Sequence, residues 1–128
     1  MYTVLRFLNS GGDADGISHL REEAVARFGE DHVGQLKECK FACDVSDLPD
    51  WISHEEKIIA YITHNASWIR ECRESKRDNG VDVCLDIAIE PEDMGAHAFL
   101  SISICMKLLR LLLDVGVEVE VTMYTGPS

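Results

Sequence analysis

Basic residues are scarce: 12 Lys and Arg stand against 23 Asp and Glu, a net charge of −11. A field of that sign repels nucleic acid and anionic membrane surfaces, and it speeds encounter with cationic partners by roughly 10- to 1000-fold at low salt. The same acidity also serves plain solubility. Long apolar runs are missing too. The longest candidate, Phe99 to Leu113, is broken by Lys107 and Arg110 and falls short of the ~18–20 residues that span a bilayer. The opening Met1-Tyr2-Thr3-Val4-Leu5-Arg6 lacks the basic stretch and long apolar core of a secretion signal. These absences predict a cytoplasmic protein that avoids nucleic acid and membranes. The cysteines agree with that compartment. Five is an odd number, and Cys39, Cys43, Cys72, Cys84 and Cys105 sit in apolar segments, as suits buried reduced thiols.

Catalytic and metal-binding frames are also lacking. There is no C-x-x-C pair and no H-E-x-x-H, so the histidines and cysteines do not make a zinc pattern. His19, His54 and His64 fall on expected helices and His32 in a loop, where surface or capping roles suit them. No cysteine stands at a recognisable helix start or in a Gly-rich elbow, where its pKa would fall. Gly11-Gly12 precedes a helix but lacks the G-K-[ST] or G-x-G-x-x-G frame of a phosphate cradle, and nearby Asp13 and Asp15 repel phosphate, so it reads as a turn. The expectation is a non-catalytic chain with no metal and no cofactor.

What the chain has is apolar patterning. At 128 residues with 46% hydrophobic content it suffices for one domain with its own core. No repeat, linker or low-complexity segment divides it. Residues 2–9 predict a strand, Ser10-Gly11-Gly12-Asp13 a turn, and Asp13 or Asp15 starts a helix closed by Gly29. That helix carries Ile17, Leu20, Ala24, Val25 and Phe28 on one stripe. Residues 30–35 read as a loop and Leu36 to Val45 as a second strand, with Cys39, Phe41, Cys43 and Val45 on one face. Ser53-His54-Glu55-Glu56 predicts a capping box. The helix after it runs to about Ser75 with Ile58, Ile62, Ile69 and Cys72 inward, and Arg70, Arg73, Lys76 and Arg77 suit its negative end.

After a turn at Asp78-Asn79-Gly80, Val81 to Glu90 alternates apolar and polar residues as a half-buried strand does. Pro91 to Gly95 breaks it, and His97 to Ile102 predicts a short strand. Ser103 then caps a helix through Val115. Its polar residues Lys107, Arg110 and Asp114 share one stripe, which predicts burial around most of its circumference. Gly116 ends it, and a last strand to Tyr124 places Val117, Val119, Val121 and Met123 inward. The order β-α-β-α-β-β-α-β predicts an α+β domain. Its sheet has about five strands, mostly antiparallel or mixed, with helices on one face.

Asp82, Asp86 and Glu90 project from one side of a strand, and Glu118 and Glu120 from one side of another. If the two strands are neighbours, these five make an acidic open sheet face. Like charges across strands cost some tenths of a kcal/mol per pair, so such a face is either retained for binding or kept as a solvated surface that deters edge aggregation.

The carboxy-terminal half carries a further pattern. Phe99-Leu100-Ser101-Ile102-Ser103 leads into Leu108-Leu109-Arg110-Leu111-Leu112, then Gly116, then Val117-Glu118-Val119-Glu120-Val121 up to Tyr124. This run resembles a bacterial domain-of-unknown-function family of small α+β proteins, some of which look like toxin-immunity proteins. Trp51 loosely echoes that family's mid-chain Trp segment. The resemblance implies a similar fold and, with the charge, a protein that binds a basic partner, such as a cognate toxin domain or nuclease, through its acidic surface, with Trp51 or Trp68 a possible anchor. The alternatives are a small hydrolase or transferase with a His and a carboxylate in a pocket, and a regulatory or oligomer-forming module with a large apolar surface patch.

Overall fold

The computed structural model describes residues 1–9, 14–37, 40–74, 81–94 and 102–124. The expected turns at Ser10-Gly11-Gly12-Asp13 and Asp78-Asn79-Gly80, Cys39, and Lys76 and Arg77 lie outside the described residues. The elements run β1 (Tyr2–Asn9), α1 (Ala14–Phe28), a 3-10 turn (Glu30–His32), β2 (Val33–Lys37), β3 (Lys40–Ser46), α2 (Trp51–Glu74), β4 (Val81–Ile89), α3 (Pro91–Met94), α4 (Met106–Val115) and β5 (Glu118–Met123). They form an α+β domain around one five-stranded mixed sheet ordered β2-β3-β1-β4-β5. β1 lies at the centre, antiparallel to β3 and β4, whereas β5 runs parallel to β4 at the edge. The first four strands with α1 and α2 make two interleaved split β-α-β units, to which α4 and β5 add one more strand.

Strand alternation sorts the residues. Leu5 and Phe7 of β1, Phe41 and Cys43 of β3, and Val83, Leu85 and Ile87 of β4 are buried under the helices. α1 contributes Ile17, Leu20 and Ala24, and α2 contributes Ile58, Ile62, Trp68, Ile69 and Cys72. At the centre Phe7 stacks on Phe41 at 4.7 Å between ring centroids and meets Trp68 at 5.3 Å. Trp68 is therefore a core residue, with its Nε1–H directed to Glu23. Trp51 is half-buried and donates to the Ser103 carbonyl at 2.8 Å. Burial pushes the Cys43 and Cys72 thiols up to about 12, as expected of inert core cysteines.

Several sequence expectations need correction. The 30–35 loop and the single 36–45 strand are instead a hairpin, β2 with β3. Val33 is buried opposite Cys43, and this contact draws the segment into the sheet although Gly34 has little strand preference. Of the expected 97–102 strand only Ile102 is described, and it is not in a strand. α2 begins at Trp51, earlier than the Ser53 box implies, because Asp50 accepts from the Ser53 N–H at 2.9 Å and acts as the cap. α4 begins at Met106, and its preceding N–H, that of Cys105, is satisfied by Glu55 at 2.9 Å, not by Ser103. Its end is as the sequence predicts. Gly116 adopts φ 70°, while Val117 N–H reaches the Leu112 carbonyl and Gly116 N–H the Leu113 carbonyl, a Schellman termination that favours glycine at that position.

The largest correction concerns the sheet edge. α4 buries Leu108, Leu112 and Val115 against α2 and the sheet, but Met106, Leu109 and Leu113 are exposed. Along β5 and its approach only Val117 is buried; Val119, Val121 and Met123 are exposed. The helix layer stops at α4 and the sheet stops at β5, so among the described residues nothing lies beyond to cover this side.

Candidate functional site

The face of the sheet opposite the helices holds the candidate site. Cross-strand partners share a face. Val4 faces Asp86, Arg6 faces Cys84 and Leu8 faces Asp82, while Glu118 sits beside Cys84 and Glu120 beside Asp86. Asp82, Asp86, Glu118 and Glu120 therefore share one face, because β4 and β5 are neighbours, while Glu90 follows the last residue of β4. Their roles differ. Asp86 and Glu120 cluster around Arg6, whereas Glu118 sits beside Cys84, Asp82 lies near the start of β4 and Glu90 just past its end.

Arg6 was not singled out in the sequence, and it governs this cluster. Its Nη2 donates to Glu120 Oε2 at 2.6 Å, and its Nε lies 3.6 Å from Asp86 Oδ2. Thr122 Oγ1 adds a bond to Asp86 Oδ1 at 3.0 Å. One cation thus relieves the like-charge contact of Asp86 and Glu120. Asp82 and Glu118 are exposed and make no ion pair among the described residues. On β3, Asp44 adds a further carboxylate to the same face, opposite Val4. Tyr2 and Tyr124 close one end. The hydrogen bond with Tyr124, then burial, then the charges of Glu90 and Asp86 push the Tyr2 phenol up to about 12. The face is therefore anionic with an aromatic end, and it is free of any helix among the described residues.

A cleft of about 760 Å³ opens where β1 starts and β3 ends, lined by Tyr2, Thr3, Arg27, Phe28, Asp47 and Lys57 among others. At its rim His32 Nδ1 lies 3.6 Å from Asp44 Oδ2, both side chains 63% exposed. Such an exposed pair is hydrated and screened by solvent.

His54 corrects the expectation of a surface histidine, since it is 0% exposed. It lies on the inward face of α2 four residues before Ile58. Its Nδ1 is 2.9 Å from Ser46 Oγ and accepts from the Leu48 N–H at 3.4 Å, and its Nε2 is 2.5 Å from Thr3 Oγ1. A backbone N–H can only donate, so Nδ1 is the unprotonated nitrogen and Nε2–H donates to Thr3. Burial lowers the His54 pKa and keeps the ring neutral. The signal available in sequence was the i, i+4, i+8 spacing of His54, Ile58 and Ile62, which places His54 on the apolar stripe. His54 ties α2 to β1 and β3 as a satisfied core polar group.

Among the described residues no group of His, Cys, Asp and Glu could hold a metal ion, and no helix is long and apolar enough to cross a membrane. Compared with known proteins, the chain matches no family model, no curated sequence and no solved structure.

Proposed function

We propose that this chain is a non-catalytic binding protein, an immunity-type protein that neutralises a basic bacterial toxin by covering it with the anionic sheet face. The observation that carries this reading is the uncovered face bearing Asp82, Asp86, Glu118 and Glu120 in a chain of net charge −11. A nuclease is the toxin class whose chemistry fits best, because an enzyme that binds nucleic acid presents the cationic groove this face complements. The site of action would be the cytoplasm, where thiols such as those of Cys43, Cys84 and Cys105 stay reduced.

The test uses the product of the adjacent gene, which this reading expects to be a toxin, and a double variant, Asp82→Asn with Glu118→Gln, which spares the Arg6 cluster. Association should slow about tenfold or more in the variant, and the wild-type rate should fall steeply between about 0.05 and 0.2 M salt. An unchanged rate and undiminished toxin neutralisation by the variant would sink the proposal.

A second reading, a regulatory or oligomer-forming module, is favoured by the exposed apolar residues Met106, Leu109 and Leu113 on α4 and Val119, Val121 and Met123 on β5. Sedimentation equilibrium decides it, since a chain that stays monomeric at high concentration is not such a module.

A further inference from the structure

The free edge of β5 and the outer side of α4 form a seat with mixed chemistry. β5 is hydrogen-bonded to β4 in unbroken register from Glu118 to Met123, and among the described residues it has no neighbour on its other side. Its helix-side residues Val119, Val121 and Met123 stand exposed, as do Leu109 and Leu113 on α4, the helix that packs against β5, Leu113 being 83% exposed. Its open-face residues are Glu118 and Glu120. The opposite edge, β2, is shorter and its ladder with β3 is irregular between Gln35 and Lys37, a common way of blunting an edge. β5 has no bulge, proline or lysine, so its backbone remains a template for another strand.

The charges say which strand. A second copy paired antiparallel about Val119 would set Glu118 against Glu120, and one paired about Glu120 would set Glu120 against its own counterpart, while each copy brings −11; like charges directly opposite destabilise a pair. A strand that alternates apolar and cationic residues satisfies every feature at once. Its apolar side chains fall on the α4–β5 shelf, its cations meet Glu118 and Glu120, and its backbone completes the β5 ladder. We infer that β5 and α4 bind an extended segment of the basic partner, with alternating apolar and Lys or Arg residues, by strand addition. This deepens the proposed function and rests on its basic partner.

The probe is a labelled octapeptide, acetyl-(Lys-Val)4-amide, compared with a block peptide of the same composition and with an N-methylated alternating peptide that cannot complete a ladder. The alternating peptide should bind the intact chain about tenfold or more tightly than either control, with new amide-exchange protection confined to β5. Leu113→Asp and Glu118→Lys should each weaken it about fivefold or more, as loss of shelf or charge contact requires. Equal binding of all three peptides overturns strand addition, while salt-sensitive neutralisation of the toxin would still uphold the acidic-face reading. A dimer that Leu113→Asp dissolves overturns it in favour of self-pairing. If no peptide binds, the inference is overturned, and the proposed function is then judged on the whole toxin alone.

Discussion

At the scale of single residues, two buried or half-buried ionisable groups, His54 and Arg6, set the chemistry. His54 is neutral in the fold because burial lowers its pKa below the usual 6.5. The unfolded chain therefore takes up a proton first as the pH falls, and unfolding is favoured. The contribution is fully present above about pH 6.5 and declines below it, by at most about 1.4 kcal/mol per pH unit, until the folded pKa is reached. Denaturant titrations between about pH 7.5 and 5 should show a smaller pH slope for His54→Gln than for the native chain; identical slopes would contradict a neutral His54. Arg6 behaves differently. Arg6→Met leaves Asp86, whose side chain is only 13% exposed, without its cation and should cost about 1–3 kcal/mol. The same change makes the face more anionic, so association with a cationic partner should speed up while stability drops. Denaturant midpoints and stopped-flow rates measured on one variant test both signs.

At the scale of elements, α4 and β5 show how position overrides pattern. α4 has an apolar residue at nearly every position, and its neighbours alone decide which are buried. Leu112 faces the core and Leu113 faces away. Leu113→Asp should change stability by less than about 0.5 kcal/mol, whereas Leu112→Asp should cost more than about 3 kcal/mol or prevent folding, because it buries an unpaired charge. Thermal melts of the two variants check this orientation directly, and comparable losses would mean that α4 is enclosed on both sides. β4 is the contrasting case. Its inward Val81, Val83, Leu85, Ile87 and Ile89 are all buried, since it lies between β1 and β5 with α2 above it, and strict alternation on an interior strand leaves one choice of face.

At the scale of the whole molecule, the net charge of −11 acts in two directions. It draws cationic partners and it repels itself within the compact state. Adding salt from about 0.01 to 0.15 M should therefore raise the melting temperature while it slows association with a basic protein. A melting temperature that falls with salt would mean that local pairs, such as Arg6 with Glu120 and Arg70 with Asp114, outweigh the overall repulsion.

The sequence by itself determined the α+β class, the helices α1 and α2 with their inward stripes, the alternation of β4, the glycine stop at Gly116 and the side of each strand on which the carboxylates stand. Each follows from periodicity or capping within a few residues of the position concerned. Only the tertiary structure decided the rest. The β2–β3 hairpin depends on Val33 meeting Cys43 across strands, which no short window contains. His54 is buried because β1 brings Thr3, distant along the chain, and β3 brings Ser46 to its two nitrogens. Asp82, Asp86, Glu118 and Glu120 share a face because β4 and β5 pair, and Arg6 reaches Glu120 only because β1 lies on the other side of β4. Exposure of Leu113 and Val121 was hidden for the same reason: apolar residues reveal which face of an element is apolar, but whether anything covers that face depends on where the sheet and the helix layer end.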